Sequence, residues 1–242
     1  MFFNQNIIFK QKTIDESAYD LYKRFYTSRN SFEKKTLVSR LKEDKPSLKL
    51  CKDFLRKETA ESNEVGMLDG FKMFWVNHSQ SIVQELRNVL ECEDVLPRQI
   101  LCFLDMSPYM LIDYNNATIS LSVNHTLKEN IDSFVAFLVK YAVVDRLWNG
   151  ETMKINLSYS KDSVYWIMAD FVADSICYYS SLPCFDISPA YKFYYSLSYN
   201  GENLIQKFRA LYNEMPILEF MHYILEFVEH NYDMFECFTN RY

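Results

Sequence analysis

A glutamate and a histidine three residues apart are the first pair whose types and spacing could bind a metal. Glu219 and His222 form an E-x-x-H pattern, and Glu226, Glu229 and His230 follow in the same segment. Carboxylate-bridged di-iron bundles use this pattern twice, with a glutamate from each of two further helices. It occurs once here, in a chain with 4 histidines. The segment is therefore predicted to be an amphipathic terminal helix with a solvated acidic face.

Several common catalytic and nucleotide-binding motifs are missing. No G-x-S-x-G nucleophile sequence occurs, and none of the histidines lies in an evident catalytic context. The 4 glycines form neither G-x-G-x-x-G nor the phosphate-binding G-x-x-x-x-G-K-S/T loop. Rossmann-type dinucleotide binding and P-loop nucleotide hydrolysis are therefore not expected.

Short strands followed by one long apolar helix organise the sequence. Residues 99–123 contain three strand-like segments, and the last alternates polar and apolar residues as a half-buried strand does. Thr126 and Glu129 form a capping box, which marks a helix start. The helix over residues 126–148 is apolar on nearly every face, as a helix in the middle of a fold is. This pattern predicts a small sheet packed against a buried helix.

Helices are predicted on both sides of this region. Thr13 and Glu16 form a second capping box, and a helix is also expected over residues 31–41. Apolar residues at helical spacing predict further helices through the C-terminal half. The expected fold class is mostly helical α+β, with an N-terminal helical layer at 1–60 and a compact body at 61–242.

Two segments and the order of elements together resemble a known family. The buried helix contains V-K-Y-A-V-V-D-R-L at residues 139–147, and A-D-F-V-A-D follows at residues 169–174. The expected order of elements is a strand, an edge strand, a polar-alternating strand, a long buried helix and a second helix. The buried helix contains the first of the two segments, and the second helix contains the other. In these respects the chain resembles zincin-type metallopeptidases, more specifically the gluzincins. That family binds zinc through H-E-x-x-H on the buried helix and a glutamate in an E-G-x-A context on the next.

The resemblance implies four site positions, which we call the pseudo-site. Tyr141 stands for the first histidine, Ala142 for the glutamate base, Asp145 for the second histidine and Asp170 for the third ligand. Alanine can neither accept nor donate a proton, so this helix would not activate a water molecule. The resemblance therefore implies a peptidase-like scaffold without catalytic residues, and neither a metal nor another cofactor is expected. Asp145 and Asp170 could still bind a cation or pair with Arg146 or Lys140.

Charge is distributed unevenly along the chain. The net charge is −6, yet residues 20–58 contain 12 Lys and Arg against 6 Asp and Glu. A basic segment of this kind could bind nucleic acid, although interspersed acids are more typical of a solvated helix surface. The sequence contains no run of about 18 apolar residues, so no membrane span is predicted. The first ten residues lack the features of a signal peptide. A cytoplasmic protein is therefore expected.

The absence of these catalytic motifs, beside a full set of predicted strands and helices, favours a binding function. The leading hypothesis is a non-catalytic protein that binds another protein through an aromatic-rich surface or the basic N-terminal layer. A small inhibitory, immunity or anti-defence protein would fit this composition. One alternative is a metal-dependent hydrolase that uses Asp145 and Asp170 with His222 or Glu226. Another is nucleic-acid binding through residues 20–58.

Overall fold

The computed structural model describes most of the chain, and it confirms the mostly helical α+β class. The described residues are 6–27, 37–59, 66–97, 99–107, 111–113, 116–149, 164–183, 194 and 196–239. The strands are β1 (Asn6–Gln11), β2 (Gln99–Asp105), β3 (Leu111–Asp113), β4 (Thr118–Ser122), β5 (Ser198–Tyr199) and β6 (Glu202–Asn203). The helices are α1 (Ile14–Thr27), α2 (Leu48–Thr59), α3 (Met67–Leu90), α4 (Leu127–Asn149), α5 (Val164–Tyr179), α6 (Leu204–Tyr212), α7 (Ile217–His230) and α8 (Tyr232–Thr239).

Both predicted capping boxes form at the starts of their helices. At α1, the Thr13 amide donates to Glu16 Oε2 at 2.7 Å, and the Glu16 amide donates to Thr13 Oγ1 at 3.3 Å. At α4, the equivalent distances between Thr126 and Glu129 are 2.8 and 3.2 Å. These exchanges satisfy amides that a helix start otherwise leaves without an acceptor. The sequence pattern therefore located both helix starts.

The main sheet has the strand order β1-β2-β4-β3. Strands β1, β2 and β4 are parallel, with Ile8 opposite Leu101 and Leu101 opposite Thr118. Strand β3 lies at the edge and runs antiparallel to β4, with Ile112 opposite Ile119. The strands predicted within residues 99–123 are therefore confirmed, and their position places α4 directly after the second inner strand.

Helices α3 and α4 cover one face of this sheet. Phe134 of α4 is fully buried, and its ring lies 5.9 Å from Phe9 of β1 and 6.2 Å from Phe71 of α3. Trp75 of α3 meets the same ring edge-on at 6.0 Å. Because α4 is buried on nearly every side between Ile131 and Val144, the predicted central helix is confirmed.

The N-terminal region differs from its prediction in one element. Strand β1 lies inside the range 1–60 that was expected to be a helical layer, but it pairs with β2 and belongs to the sheet of the body. The prediction missed it because Ile7, Ile8 and Phe9 form a short apolar run without alternation, and all three are only half-buried at a sheet edge.

The other described elements of the N-terminal region are helices, which share a small hydrophobic core of their own. This core consists of Ala18, Leu21, Phe25, Leu37, Leu41, Cys51 and Leu55, contributed by α1, residues 37–41 and α2. Residues 37–41 are helical, and the first part of the helix predicted at 31–41 lies outside the described residues. A helical layer therefore exists, but it begins after β1.

Candidate functional site

Helix α5 carries two aspartates one turn apart on an otherwise apolar helix. Asp170 and Asp174 are its only charged residues, since its sequence reads VYWIMADFVADSICYY. The helix packs against α4, α6 and α7, and most of its described side chains are buried. A carboxylate in such surroundings requires a partner of opposite charge or hydrogen-bond donors. We call Asp170 and Asp174 the α5 carboxylate pair.

Asp170 receives its partners from α4 and from a residue beyond α5. The Lys140 ammonium of α4 forms a short ion pair with Asp170 Oδ1, and the two side chains are 14% and 15% exposed. The Tyr194 hydroxyl donates to the other carboxylate oxygen, Oδ2, at 3.0 Å. Both oxygens of Asp170 are therefore bonded to groups of the protein itself.

Asp174 is paired with an arginine from α6. Arg209 Nε donates to Asp174 Oδ2 at 2.8 Å, and a second guanidinium nitrogen donates to Oδ1 at 3.1 Å. The Asp174 side chain is 3% exposed. Burial raises the pKa of Asp174 above its ordinary value, and the negative charge of Asp170 adds to this, while Arg209 opposes it. The two-pronged pairing keeps a deeply buried carboxylate compensated.

The remaining pseudo-site residues lie on α4 in different surroundings. Tyr141 is half-buried, with its ring 6.2 Å from Phe137. Ala142, which the resemblance matches to the glutamate base, is 1% exposed within the main core. Asp145 is half-buried and interacts within the fold. The fourth position, Asp170, lies on α5 and contacts α4 through Lys140, the neighbour of Tyr141.

The E-x-x-H helix has the amphipathic character expected from its sequence. Its buried side chains are Ile217, Phe220, Met221, Ile224, Leu225 and Val228. Glu219, His222, Glu226, Glu229 and His230 are all exposed on the other side. Within the described ranges, no three His, Cys, Asp or Glu side chains come close enough together to hold a metal ion. Asp145, Asp170, His222 and Glu226 therefore do not form such a group.

A second buried ionic group lies where the N-terminal region meets the sheet. Lys12, directly after β1, pairs with Asp105 at 2.7 Å and with Asp20 of α1 at 2.8 Å. It also donates to Ser120 Oγ of β4 at 3.0 Å. Asp105 ends β2, is fully buried, and accepts a further hydrogen bond from the Ser107 amide at 2.8 Å. We call Lys12, Asp20, Asp105 and Ser120 the Lys12 cluster.

The sequence suggested Lys140 as one possible partner of Asp170, and the structure shows that ion pair. The Asp174–Arg209 pair and the Lys12 cluster were not identified from the sequence, although part of the signal was visible. Asp174 belongs to the A-D-F-V-A-D segment, and a charged residue inside an apolar helix signals that a partner must exist. Its partner, Arg209, lies 35 residues away, and Lys140 lies 30 residues from Asp170. Pairings over such separations depend on how the helices pack, which periodicity does not determine.

Comparison with known proteins adds no further constraint. The chain matches no protein-family model, no curated protein and no solved structure. In the part of the chain that the structure describes, every helix is too short or too polar to cross a bilayer.

Proposed function

We propose that this chain is a non-catalytic protein that binds another protein, built on a scaffold like that of a zincin-type peptidase. The observation that carries the proposal is the state of the pseudo-site. The position of the proton acceptor is held by Ala142, which is 1% exposed, so it offers no group for proton transfer. The position of the third ligand is held by Asp170, whose oxygens already bond Lys140 and Tyr194.

The order of the described elements supports the comparison with that scaffold. An inner strand, β2, is followed by the antiparallel edge strand β3 and a second inner strand, β4. Helix α4 follows β4, and α5 packs against α4. This is the order in which the resemblance expects the strands, the buried helix and the second helix.

The contacts of Asp170 explain how such a scaffold could remain folded without a metal. A carboxylate that is 15% exposed loses much of its hydration and must be compensated by positive charge. In a metallopeptidase the metal ion supplies that charge, whereas here the Lys140 ammonium lies against the carboxylate. We infer that the chain's own cation takes over the electrostatic role of the metal.

Exposed tyrosines support protein binding. Among the described residues, the large apolar or aromatic side chains that remain exposed are Tyr19, Tyr26, Leu48, Met73, Val76, Tyr178, Tyr179 and Tyr223. Five of these eight are tyrosines. Tyrosine is enriched in protein interfaces because its ring buries a large area while its hydroxyl keeps a polar partner.

Metal content and peptidase activity test the non-catalytic part of the proposal. The full chain, purified without added metal, is expected to carry far less than stoichiometric zinc or manganese by elemental analysis. It is also expected not to hydrolyse casein with or without added zinc, and Asp145→Ala should behave in the same way. Stoichiometric metal together with casein hydrolysis that Asp145→Ala abolishes would overturn the proposal.

Cross-linking tests the binding part. The full chain, carrying a photo-cross-linker and added to a lysate of the native host, should label one protein. Excess unlabelled chain should compete for that labelling, and the identified protein, once purified, should bind the chain with saturable 1:1 stoichiometry. Labelling that unlabelled chain does not reduce would contradict a specific protein partner.

A further inference from the structure

Three tyrosines at the end of α5 and on α6 form a continuous aromatic surface beside a glutamate of α3. Tyr178 and Tyr179 are 52% and 44% exposed, and their rings meet edge-on at 4.8 Å. Tyr179 is stacked on Tyr212 with ring centroids 5.9 Å apart and an interplanar angle of 13°. Glu85 reaches this region from α3, where its Oε1 accepts a hydrogen bond from the Ser181 amide at 3.0 Å. We call Tyr178, Tyr179, Tyr212 and Glu85 the tyrosine surface.

Contacts with neighbouring side chains fix the orientation of the rings of this surface. The Arg209 guanidinium lies 4.0 Å from the Tyr178 ring centroid while it binds Asp174. Tyr212 meets the fully buried Phe220 ring edge-on at 5.4 Å. Aromatic rings that already have one orientation lose little conformational entropy when a partner binds. The tyrosine surface is therefore prearranged for recognition.

The charge of the tyrosine surface favours a cationic partner. Arg209 is paired with Asp174, so it does not neutralise the negative charge of Glu85. Burial raises the pKa of Tyr212 to about 12, with a contribution from the negative charge of Glu85. The faces of neutral tyrosine rings attract lysine and arginine side chains, and a carboxylate nearby adds to that attraction. Outside residues 20–58 the chain has a net charge of −12, which favours the approach of a basic segment.

We propose that the tyrosine surface binds a segment of a partner protein that presents lysine or arginine side chains. The cationic groups contact the faces of Tyr178 and Tyr179 that Arg209 and Tyr212 do not cover, and Glu85 supplies the opposite charge. This inference rests on the proposed protein-binding function and specifies one surface for it and one chemistry of the partner.

A decalysine peptide is a suitable probe, because it carries the proposed cationic group without the rest of a partner. Binding of fluorescein-labelled decalysine to the full chain is measured by anisotropy at low and at physiological salt. Tyr179→Leu keeps an apolar side chain but removes the aromatic face, and Glu85→Gln removes the charge but keeps an amide oxygen for Ser181. Each is expected to weaken binding about three- to fivefold, and the double variant about tenfold.

An exposed tyrosine on another helix provides the matched control. Tyr223 is 36% exposed on α7, where Glu219 and Glu226 are also exposed. Tyr223→Leu should change decalysine binding by less than about twofold, and labelled decaglutamate should not bind the wild type. Circular dichroism and thermal unfolding show whether each variant is folded, and Glu85→Gln provides the test if Tyr179→Leu is not.

Two results would overturn the inference. One is no decalysine binding by the wild type, and the other is equal weakening by Tyr223→Leu and by the variants of the tyrosine surface. Either result leaves the proposed function standing if a cross-linked protein still binds the chain. Metal-dependent peptidase activity would instead overturn the proposed function, whatever the peptide does.

Discussion

The Lys12 cluster and the α5 carboxylate pair are both buried ionic groups, but they distribute charge differently. In the Lys12 cluster one ammonium compensates two carboxylates, and the Asp105 side chain is fully buried. On α5, each carboxylate has a cation of its own from a different helix, Lys140 from α4 and Arg209 from α6. Losing the Lys12 ammonium therefore leaves the fully buried Asp105 uncompensated, whereas Asp20, whose side chain is 39% exposed, stays hydrated. Losing one cation on α5 leaves one largely buried acid uncompensated while the other keeps its partner.

The two groups also connect different parts of the molecule. The Lys12 cluster joins α1, whose apolar side chains pack in the small N-terminal core, to strands β2 and β4 of the main sheet. The α5 carboxylate pair joins helices that already share the main core. The second group therefore lies among helices of one core, whereas the first group lies at a junction between two cores. The junction is therefore expected to be the more sensitive place.

The largest effect is expected for Lys12→Met. The substitution keeps the aliphatic stem but leaves the fully buried Asp105 carboxylate without its cation. Removing one partner of a buried ion pair lowers the free energy of unfolding by about 3–5 kcal/mol. Urea unfolding checks this value, with Lys10→Met on the exposed side of β1 as the control, expected within about 0.5 kcal/mol of wild type. Equal losses for both variants would mean that the Lys12 cluster is not a stabilising junction.

The pH dependence of the same variant sharpens the test. Burial alone lowers the pKa of Lys12, but the charges and hydrogen bonds of Asp105 and Asp20 outweigh burial, so the pKa is raised above 10.5. The resulting stabilisation is complete below pH 10.5 and is lost as the pH rises through the folded-state pKa. The stability difference between wild type and Lys12→Met should therefore shrink in alkaline solution and stay constant between pH 7 and 9.

Arg209→Met should have the next largest effect. It removes the two-pronged partner of Asp174, whose side chain is 3% exposed, and should lower the free energy of unfolding by about 3 kcal/mol at neutral pH. Without Arg209 the pKa of Asp174 rises further, because the charge and hydrogen bonds of Arg209 no longer oppose the effect of burial. Acidification protonates the carboxyl and removes the uncompensated charge, so the deficit should decrease as the pH falls.

A surface pair on α2 is the matched control for Arg209. Arg56 and Asp53 are 3.3 Å apart, but their side chains are 56% and 46% exposed. Water screens such a pair, so Arg56→Met should change stability by less than about 0.5 kcal/mol at any pH. If Arg56→Met and Arg209→Met cost the same, burial of Asp174 is not the cause of the effect.

Lys140→Met should have a smaller effect than either. Asp170 is more exposed than Asp174, and it keeps the hydrogen bond from Tyr194. The expected loss is about 1.5–3 kcal/mol, the contribution of a hydrogen bond to a charged group. Adding Asp170→Asn to Lys140→Met should restore part of the lost stability, and a double-mutant cycle measures this recovery. No recovery would indicate that Lys140 stabilises the fold without compensating Asp170.

These sites show which features could be predicted from the sequence. The starts of α1 and α4 were predictable because a capping box is local, with both partners within three residues. The strands at 99–123 and the burial of α4 followed from periodicity, which is also local. Strand β1 was missed because a short run of half-buried apolar residues at an edge has no characteristic period.

The Lys12 cluster and the Asp174–Arg209 pair were not predictable, for a different physical reason. Lys12 and Asp105 are 93 residues apart, and Arg209 and Asp174 are 35 residues apart. The apolar composition of α5 indicates that Asp170 and Asp174 need partners, but the partner is chosen by tertiary packing. The family resemblance placed Asp170 in a candidate site, where Lys140 was one of the partners considered, and the structure shows that ion pair.

The smallest effects are expected at the capping boxes. Each box starts a helix of a different core, so substitutions there allow the two cores to be compared. Thr13→Ala and Thr126→Ala each remove a hydroxyl that accepts a helix amide and should each cost about 1 kcal/mol. Thr126 starts a helix of the main core, so its substitution should lower hydrogen-exchange protection throughout the sheet and α4. Thr13 starts α1, which packs in the separate N-terminal core. If the two cores open independently, Thr13→Ala will reduce protection in α1 and α2 alone. Equal losses across the whole chain would instead show that the Lys12 cluster couples both cores into one unfolding unit.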